Sequence, residues 1–215
     1  MPLVQHTRTL KPLKATALAT GNIRFDFAEN FVGVTQLDAA ILAQAFQLPT
    51  ETTSAGTATY SIQHCEKYNS TSGEVICDLT GDAGGPNGQR DTYVNAPANS
   101  TLLPRFTWHG FQFVEVNVAN ATATHASVAA LGATILDAVT GLEVRTDIDQ
   151  TGTVQVDAGK QHILNSIQTI LTNSQKGNVA AYMPTDCPTR EKHGWLGDAQ
   201  VTAEEAMLNY NMAPM

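Results

Sequence analysis

Up to roughly residue 120, apolar and polar positions alternate with a period of two, the spacing of strands with one face buried. Ile23–Phe27 and Phe31–Leu37 predict two successive strands, and Thr57–Gln63, Glu74–Leu79, Thr92–Val94 and Phe111–Val118 predict four more. In the last run Phe111, Phe113 and Val116 or Val118 cannot all share one face unless the strand bulges or both faces are covered. Turn signals at Gly21-Asn22, Asn30 to Gly33 and the Gly81–Gly88 run separate these segments. Short strands so spaced predict an antiparallel β-sandwich. Ala39–Leu48 reads either way, with a short inserted helix as one solution.

Past about residue 155 the period becomes 3.6. Ile163, Leu164, Ile167, Ile170 and Leu171 form one stripe of an amphipathic helix, which Lys176 and Gly177 end with a cation in the last turn and a glycine behind it. A second helix is expected from Asp198, its carboxylate capping the free N–H groups and Ala203, Ala206, Met207 and Tyr210 forming its stripe. Some twenty residues connect the helices, long for such a link and therefore a place to look for function. Ala121–Val156 reads as strands and linker, and no internal repeat is visible. The divisions expected are a sandwich over 1–125, connecting strands and linker over 126–156, and a helical unit over 157–215.

Composition narrows the choice of ligands. Of the 215 residues 42% are hydrophobic, enough for a core, but only 15% are charged. Twelve Lys and Arg against twenty Asp and Glu give a net charge of −8, without a basic stripe. Nucleic acid and anionic membranes are thereby disfavoured as partners, while neutral hydroxylated ligands stay open. No run of about 18 apolar residues appears, nor an apolar signal-peptide segment within the first twenty. Cys65, Cys77 and Cys187 are too few for a disulfide scaffold. The turn-rich Tyr68–Gly73 run between the first two leaves open a hairpin bridge or a pair of buried thiols. That possible bridge, with the sequons at Asn69, Asn99 and Asn120, leans toward an extracellular setting.

The connecting loop Thr185–Gln200 holds the chemistry: Asp186, Glu191, Asp198, Arg190 and Trp195 fall within thirteen positions. Carboxylates and a guanidinium suit the paired hydrogen bonds of vicinal hydroxyls, and an indole packs on the apolar side of a sugar ring. Breaking a glycosidic bond also needs a carboxylic acid that is protonated at working pH. Glu191, four positions before Trp195, is the candidate, since an aromatic wall and neighbouring carboxylates favour the neutral form. Singly these residues are ordinary: Asp198 a cap, Arg190 a surface cation, Trp195 a core residue.

Together they resemble the hallmark of the bacterial-type α-L-rhamnosidases of glycoside hydrolase family 78: Asp-Cys-Pro-x-Arg, an acidic residue, then Gly-Trp-x-Gly-Asp-Ala-Gln. Phe25–Gly33 resembles that family's Asp-Phe-Gly-x-Asn-Phe-x-Gly strand pair, and Arg105–Val116 its Phe-x-x-His-Gly-Phe-Arg-Tyr-Val-Glu-Val strand. Gly177-Asn178 and Pro184-Thr185 also fall in step, so the likeness runs over about 20–214. It implies a concanavalin-like β-sandwich followed by a six-hairpin α/α barrel, no metal or other cofactor, and rhamnose-containing glycosides or polysaccharides as substrates. It further implies an inverting hydrolysis, in which one carboxyl group protonates the leaving oxygen and another activates water. On the matching positions Glu191 would be the acid; Asp186, Arg190 and Asp198 would hold hydroxyls, and Trp195 would line the pocket. Some members carry an extra residue between the arginine and the acid, whereas here Glu191 follows Arg190 directly.

The family's base is a glutamate far downstream in the barrel, where about twelve helices are needed and two can be counted. Neither Glu204 nor Glu205 suits that role, so the expectation is a fragment with the acid half of a site, no turnover alone, and apolar helix faces open to association. The competing class is a non-catalytic carbohydrate-binding or structural β-sandwich. A cysteine hydrolase built on Cys187 and His193 is disfavoured by Pro188, and a metal site on His64, Cys65 and Cys77 by the opposite faces of adjacent strand residues. His6, His109, His125 and His162 read as structural or exposed, His109 at the sandwich edge.

Overall fold

A computed structural model of the chain describes residues 4–48, 57–77, 89–154, 156, 161–179 and 184–213, without the side chains of 4–7, 161 and 162. The Gly81–Gly88 turn and the end of the Glu74–Leu79 strand lie outside these residues, as do the side chains of His6 and His162. The fold is mixed α/β. Its strands are β1 (Val4–Leu10), β2 (Lys14–Ala17), β3 (Ile23–Asp38), β4 (Thr57–Cys65), β5 (Lys67–Tyr68), β6 (Val75–Ile76), β7 (Arg90–Pro97), β8 (Thr101–Leu102), β9 (His109–Val118) and β10 (Val139–Thr146). Its α-helices are α1 (Ala39–Ala45), α2 (His125–Leu131), α3 (Gln161–Asn178) and α4 (Leu196–Asn209); a 3-10 segment, Gly132–Ala138, joins α2 to β10. Eight strands make one antiparallel sheet ordered β1-β10-β3-β9-β4-β7, with β2 and β8 also on β3, and β5–β6 is a separate hairpin.

The two strands expected over 23–37 are one 16-residue strand. The Asn30 to Gly33 signal marks no turn there. The register between β3 and β9 instead shifts between Asp26 and Phe31, and residues 28–30 are exposed while the strand continues. Gly33 allows the close approach of β10, because a Cβ there would lie 2.1 Å from the Leu142 carbonyl oxygen. Backbone, unlike a side-chain tip, cannot swing aside. Gly33→Ala is therefore expected to cost about 1–3 kcal/mol, read as a lowered thermal midpoint.

The phase break in β9 falls at the same shift. Phe111 shares the core with Val114, Val116 and Val118, whereas Phe113 lies half-buried against Tyr68 at 4.9 Å. Phe111 also meets Phe31 at 4.3 Å and Phe27 at 5.9 Å between ring centres. The ambiguous Ala39–Leu48 stretch is helical because Asp38 accepts the free N–H groups of Ala40 and Ile41. Within 121–156 a helix and a central strand occupy what reads as strands and linker. Thr124 and Ser127 close a reciprocal capping box on α2, and β10 pairs with both β1 and β3. Ala39, Leu42, Phe46, Val128, Ile135 and Ala138 of the helical segments join the sheet in one core.

The C-terminal helices have little core. Ile148, Val179 and Tyr210 form a separate small cluster, and the Tyr210 hydroxyl donates to the Thr172 carbonyl at 3.0 Å. The α3 stripe is turned outward, Ile163 at 70% and Ile170 at 65% exposure, while Thr172 and Gln175 are buried. On α4 only Ala206 and Tyr210 of the expected stripe are buried. Leu196, Val201, Met207 and Leu208 all stand exposed, so both helices carry apolar faces uncovered by the described residues. No described helix is long and apolar enough to cross a membrane.

Candidate active-site loop

Residues 184–200 return from α3 across the root of β9 to α4. Thr185 donates to the Asn178 carbonyl at 2.8 Å through its backbone N–H, and it forms an antiparallel bridge with Gly194 that closes the loop's base. Between these ends two features seat the loop on the sheet. Gly110 faces Pro188 and Thr189 so closely that a Cβ would meet the Thr189 methyl at 2.9 Å. Lys192, held at φ 57°, sends its ammonium inward to the Trp108 carbonyl.

Glu191, the proton-donor candidate, is half-buried and accepts a 3.0 Å hydrogen bond from the Trp195 indole N–H. The expected aromatic neighbour is therefore present, but it meets the carboxylate with the edge of its ring. The His193 ring lies against Trp195 at 5.9 Å. Asp186 accepts from the Cys187 thiol at 3.1 Å through one oxygen; its other oxygen is buried without a partner among the described residues. That contact occupies Cys187 with a carboxylate, and no described hydrogen bond links it to His193, so the nucleophile–base pair of a cysteine hydrolase is not assembled.

Arg190 is exposed and forms no ion pair with the described residues. Asp198 does not cap α4. The helix starts earlier, with Trp195 at its N-cap and no side-chain cap, because Leu196 and Gly197 are already helical. Asp198 then sits in the first turn, where the helix dipole favours a carboxylate, and its oxygens are not spent on backbone N–H groups. A cleft of about 790 Å³ lies between the sheet and α3, lined among others by Arg8, Glu29, Glu143, Arg145 and Lys176. Of the loop it touches Pro188 alone, so it is distinct from the Glu191–Trp195 corner.

Sequence reasoning missed the group beneath the loop. His64, Asp91 and His109, on the neighbouring strands β4, β7 and β9, place their ligand-type atoms within 4.8 Å of one another. His109 is buried, not at an edge. Its Nε2 lies 3.0 Å from Asp91 and its Nδ1 3.4 Å from the Lys192 ammonium. An ammonium only donates, so Nδ1 accepts and the Nε2 proton goes to Asp91. His64 gives its Nδ1 proton to the Gln89 carbonyl at 3.0 Å and accepts from the Thr35 hydroxyl at 2.9 Å.

Burial, then the proximity of the His109 ring, lowers the His64 pKa to about 3. Burial pushes Asp91 up, yet its hydrogen bond from His109 and the nearby cations together hold it below the usual range. Burial pushes the Lys192 ammonium down. The His64 and His109 rings stack at 4.2 Å and 18°. Imidazole lone pairs lie in the ring plane, so parallel stacked rings do not converge on one ion, and a cation already faces His109. The group fits a hydrogen-bond network rather than a metal. Cys65 and Cys77, 5.0 Å apart at Cα, are joined in a disulfide and offer no thiolates.

Comparison with known proteins finds the chain similar to α-L-rhamnosidases. Residues 149–215 match the family described as bacterial alpha-L-rhamnosidase 6 hairpin glycosidase domain. An alpha-L-rhamnosidase of Formosa agariphila is 30% identical over 132 residues, which cover 60% of this chain and 12% of that protein. Another, of Streptomyces avermitilis, is 28% identical over 212 residues, 98% of this chain and 17% of that protein. Among solved structures, the alpha-L-rhamnosidase of Dictyoglumus thermophilum has a TM-score of 0.75 at 26% identity, covering 99% of this chain and 21% of that one. The Streptomyces avermitilis enzyme complexed with L-rhamnose has a TM-score of 0.71 at 25% identity, covering 99% and 18%. The resemblance to the bacterial α-L-rhamnosidases is thus borne out, and the chain spans under a fifth of the curated relatives' lengths.

Proposed function

We propose that residues 185–200 form the proton-donor half of an α-L-rhamnosidase site, acting on terminal α-L-rhamnosyl groups of glycosides or polysaccharides. The observation that carries this reading is the Glu191 carboxyl held by the Trp195 indole N–H at 3.0 Å, in a loop where Arg190 forms no ion pair with the described residues and Asp198 caps no backbone N–H. Glu191 protonates the departing glycosidic oxygen. Asp186, with an unpartnered buried oxygen, accepts from a sugar hydroxyl. Arg190 donates to hydroxyls, Asp198 accepts, and Trp195 walls the sugar. In the inverting scheme a second carboxylate activates water on the opposite face. We place that group outside residues 1–215, so that these residues bind rhamnose without turning it over. The sheet-rich part is read as the concanavalin-like sandwich of 1–125, followed by connecting residues 126–156, and 157–215 as the first helices of the six-hairpin barrel.

Calorimetric titration with L-rhamnose tests the reading. Trp195→Ala and Asp198→Asn are each expected to weaken binding about tenfold, the worth of one good polar or stacking contact. Glu191→Gln keeps an acceptor for the indole and is expected to bind nearly as the parent. Equal affinity in all variants would point to a sugar-binding surface elsewhere on the sheet.

A further inference from the structure

We propose that Asp91, His109 and Lys192 act as positioning residues for Glu191, fixing the proton-donor loop to the root of β9 through a part-buried chain of hydrogen bonds. This rests on Glu191 being the acid, and adds to it a device on the sheet that sets where the acid stands.

The geometry runs in one line. Asp91 on β7 accepts from His109 on β9 at 3.0 Å, and His109 accepts in turn from the Lys192 ammonium at 3.4 Å. The same ammonium caps the Trp108 carbonyl, one residue before β9. His64 stacks on His109 at 4.2 Å and is itself held by Thr35 and Gln89, so the imidazole at the centre of the chain cannot tilt. Lys192 is the residue next to Glu191 and adopts φ 57°, a left-handed conformation that costs a lysine energy and persists only where surroundings enforce it. With Lys192 pinned inward, Glu191 reaches Trp195 on the loop's outer side. Pro188 and Thr189 against Gly110 give a second point of seating, and two points fix an orientation where one would leave a pivot.

The chain has two tryptophans, which supply two reporters. Trp108 adjoins the lysine, and the Trp195 indole N–H reports the Glu191 contact. In indole 1H–15N spectra of Asp91→Asn and of Lys192→Met, the Trp195 signal is expected to move toward that of free indole, with faster solvent exchange. L-Rhamnose affinity is expected to fall about tenfold. Lys192→Arg, which keeps the cation, is expected to restore the signal in part. A purely structural role would lower the melting temperature and leave the Trp195 resonance of the folded protein in place. Folded variants with that resonance and the affinity unchanged would overturn the proposal. If the buried substitutions unfold the chain, Gly110→Ala unseats Pro188 and Thr189 while leaving the side chains of Asp91, His109 and Lys192 in place. The same Trp195 displacement is expected there, and its absence overturns the proposal equally. The indole shift needs no sugar, so variants that show it beside a parent that fails to bind L-rhamnose defeat the rhamnosidase reading and leave the positioning device standing.

Discussion

Between neutral pH and about pH 4 the chain is expected to lose about 3 kcal/mol of stability through His64 alone. The folded-state pKa near 3 lies well below the ordinary value of 6.5, so the unfolded chain takes up a proton that the folded chain refuses. The contribution of the neutral imidazole is complete above the unfolded value. It declines as pH falls through 6.5 and levels off only near 3, at a slope of about 1.4 kcal/mol per pH unit. Asp91 acts in a lower window: its depressed carboxyl contributes stability above the unfolded value and loses it as pH falls through the folded one. Urea unfolding continued below about pH 4 separates the two. His64→Gln retains a donor for the Gln89 carbonyl and an acceptor for the Thr35 hydroxyl, but does not titrate. The variant is expected to be less stable at neutral pH, having lost the stack on His109, and much flatter between pH 6.5 and 4. A variant as acid-sensitive as the parent would assign the slope to other groups.

The second large effect concerns Tyr210. The ring is 1% exposed in a three-residue cluster, and its hydroxyl is bonded to the Thr172 carbonyl, so one side chain ties α4 to α3. Burial pushes the phenol up to about 12, which keeps the O–H donating at any physiological pH. Tyr210→Ala removes the largest member of that cluster and orphans the carbonyl, a change expected to cost about 3–5 kcal/mol. The loss should be local, since the core beneath the sheet shares no member with this cluster. Hydrogen exchange should therefore show protection lost from α3, α4 and the loop between them, with β3, β4 and β9 unchanged. Uniform loss would mean that sheet and helices unfold as one unit. Tyr210→Phe, keeping the ring, is expected to cost only about 1 kcal/mol.

What the amino-acid pattern made readable, and what it hid, follow the range of the interactions. Strands with one buried face, such as Thr57–Gln63 and Phe111–Val118, announce themselves by alternation, and α3 by its stripe. The stripe gave the helix but not its burial, because a 3.6 period says which face is apolar and nothing about what lies against it. β1 and β2 were missed since an edge strand such as Val4–Leu10 needs few apolar positions; β10 falls in the stretch read as strands and linker, whose alanine-rich, mixed character hid the helix α2 before it. In the loop, Glu191 and Trp195 are local in sequence and could be paired by spacing. Asp91 and Lys192 are a hundred residues apart, and only three adjacent strands bring them to one imidazole. Asp198 was misplaced by one helical turn, a shift that frees its carboxylate for a ligand.

The central claim is that the loop from Asp186 to Asp198 receives rhamnose, and a crystal of the chain soaked in L-rhamnose tests it most directly. The sugar is expected at the Glu191–Trp195 corner, its hydroxyls within hydrogen-bond reach of Asp186, Arg190 and Asp198 and its ring beside the Trp195 indole. Sugar seated instead in the cleft between the sheet and α3, with the loop empty, would contradict it.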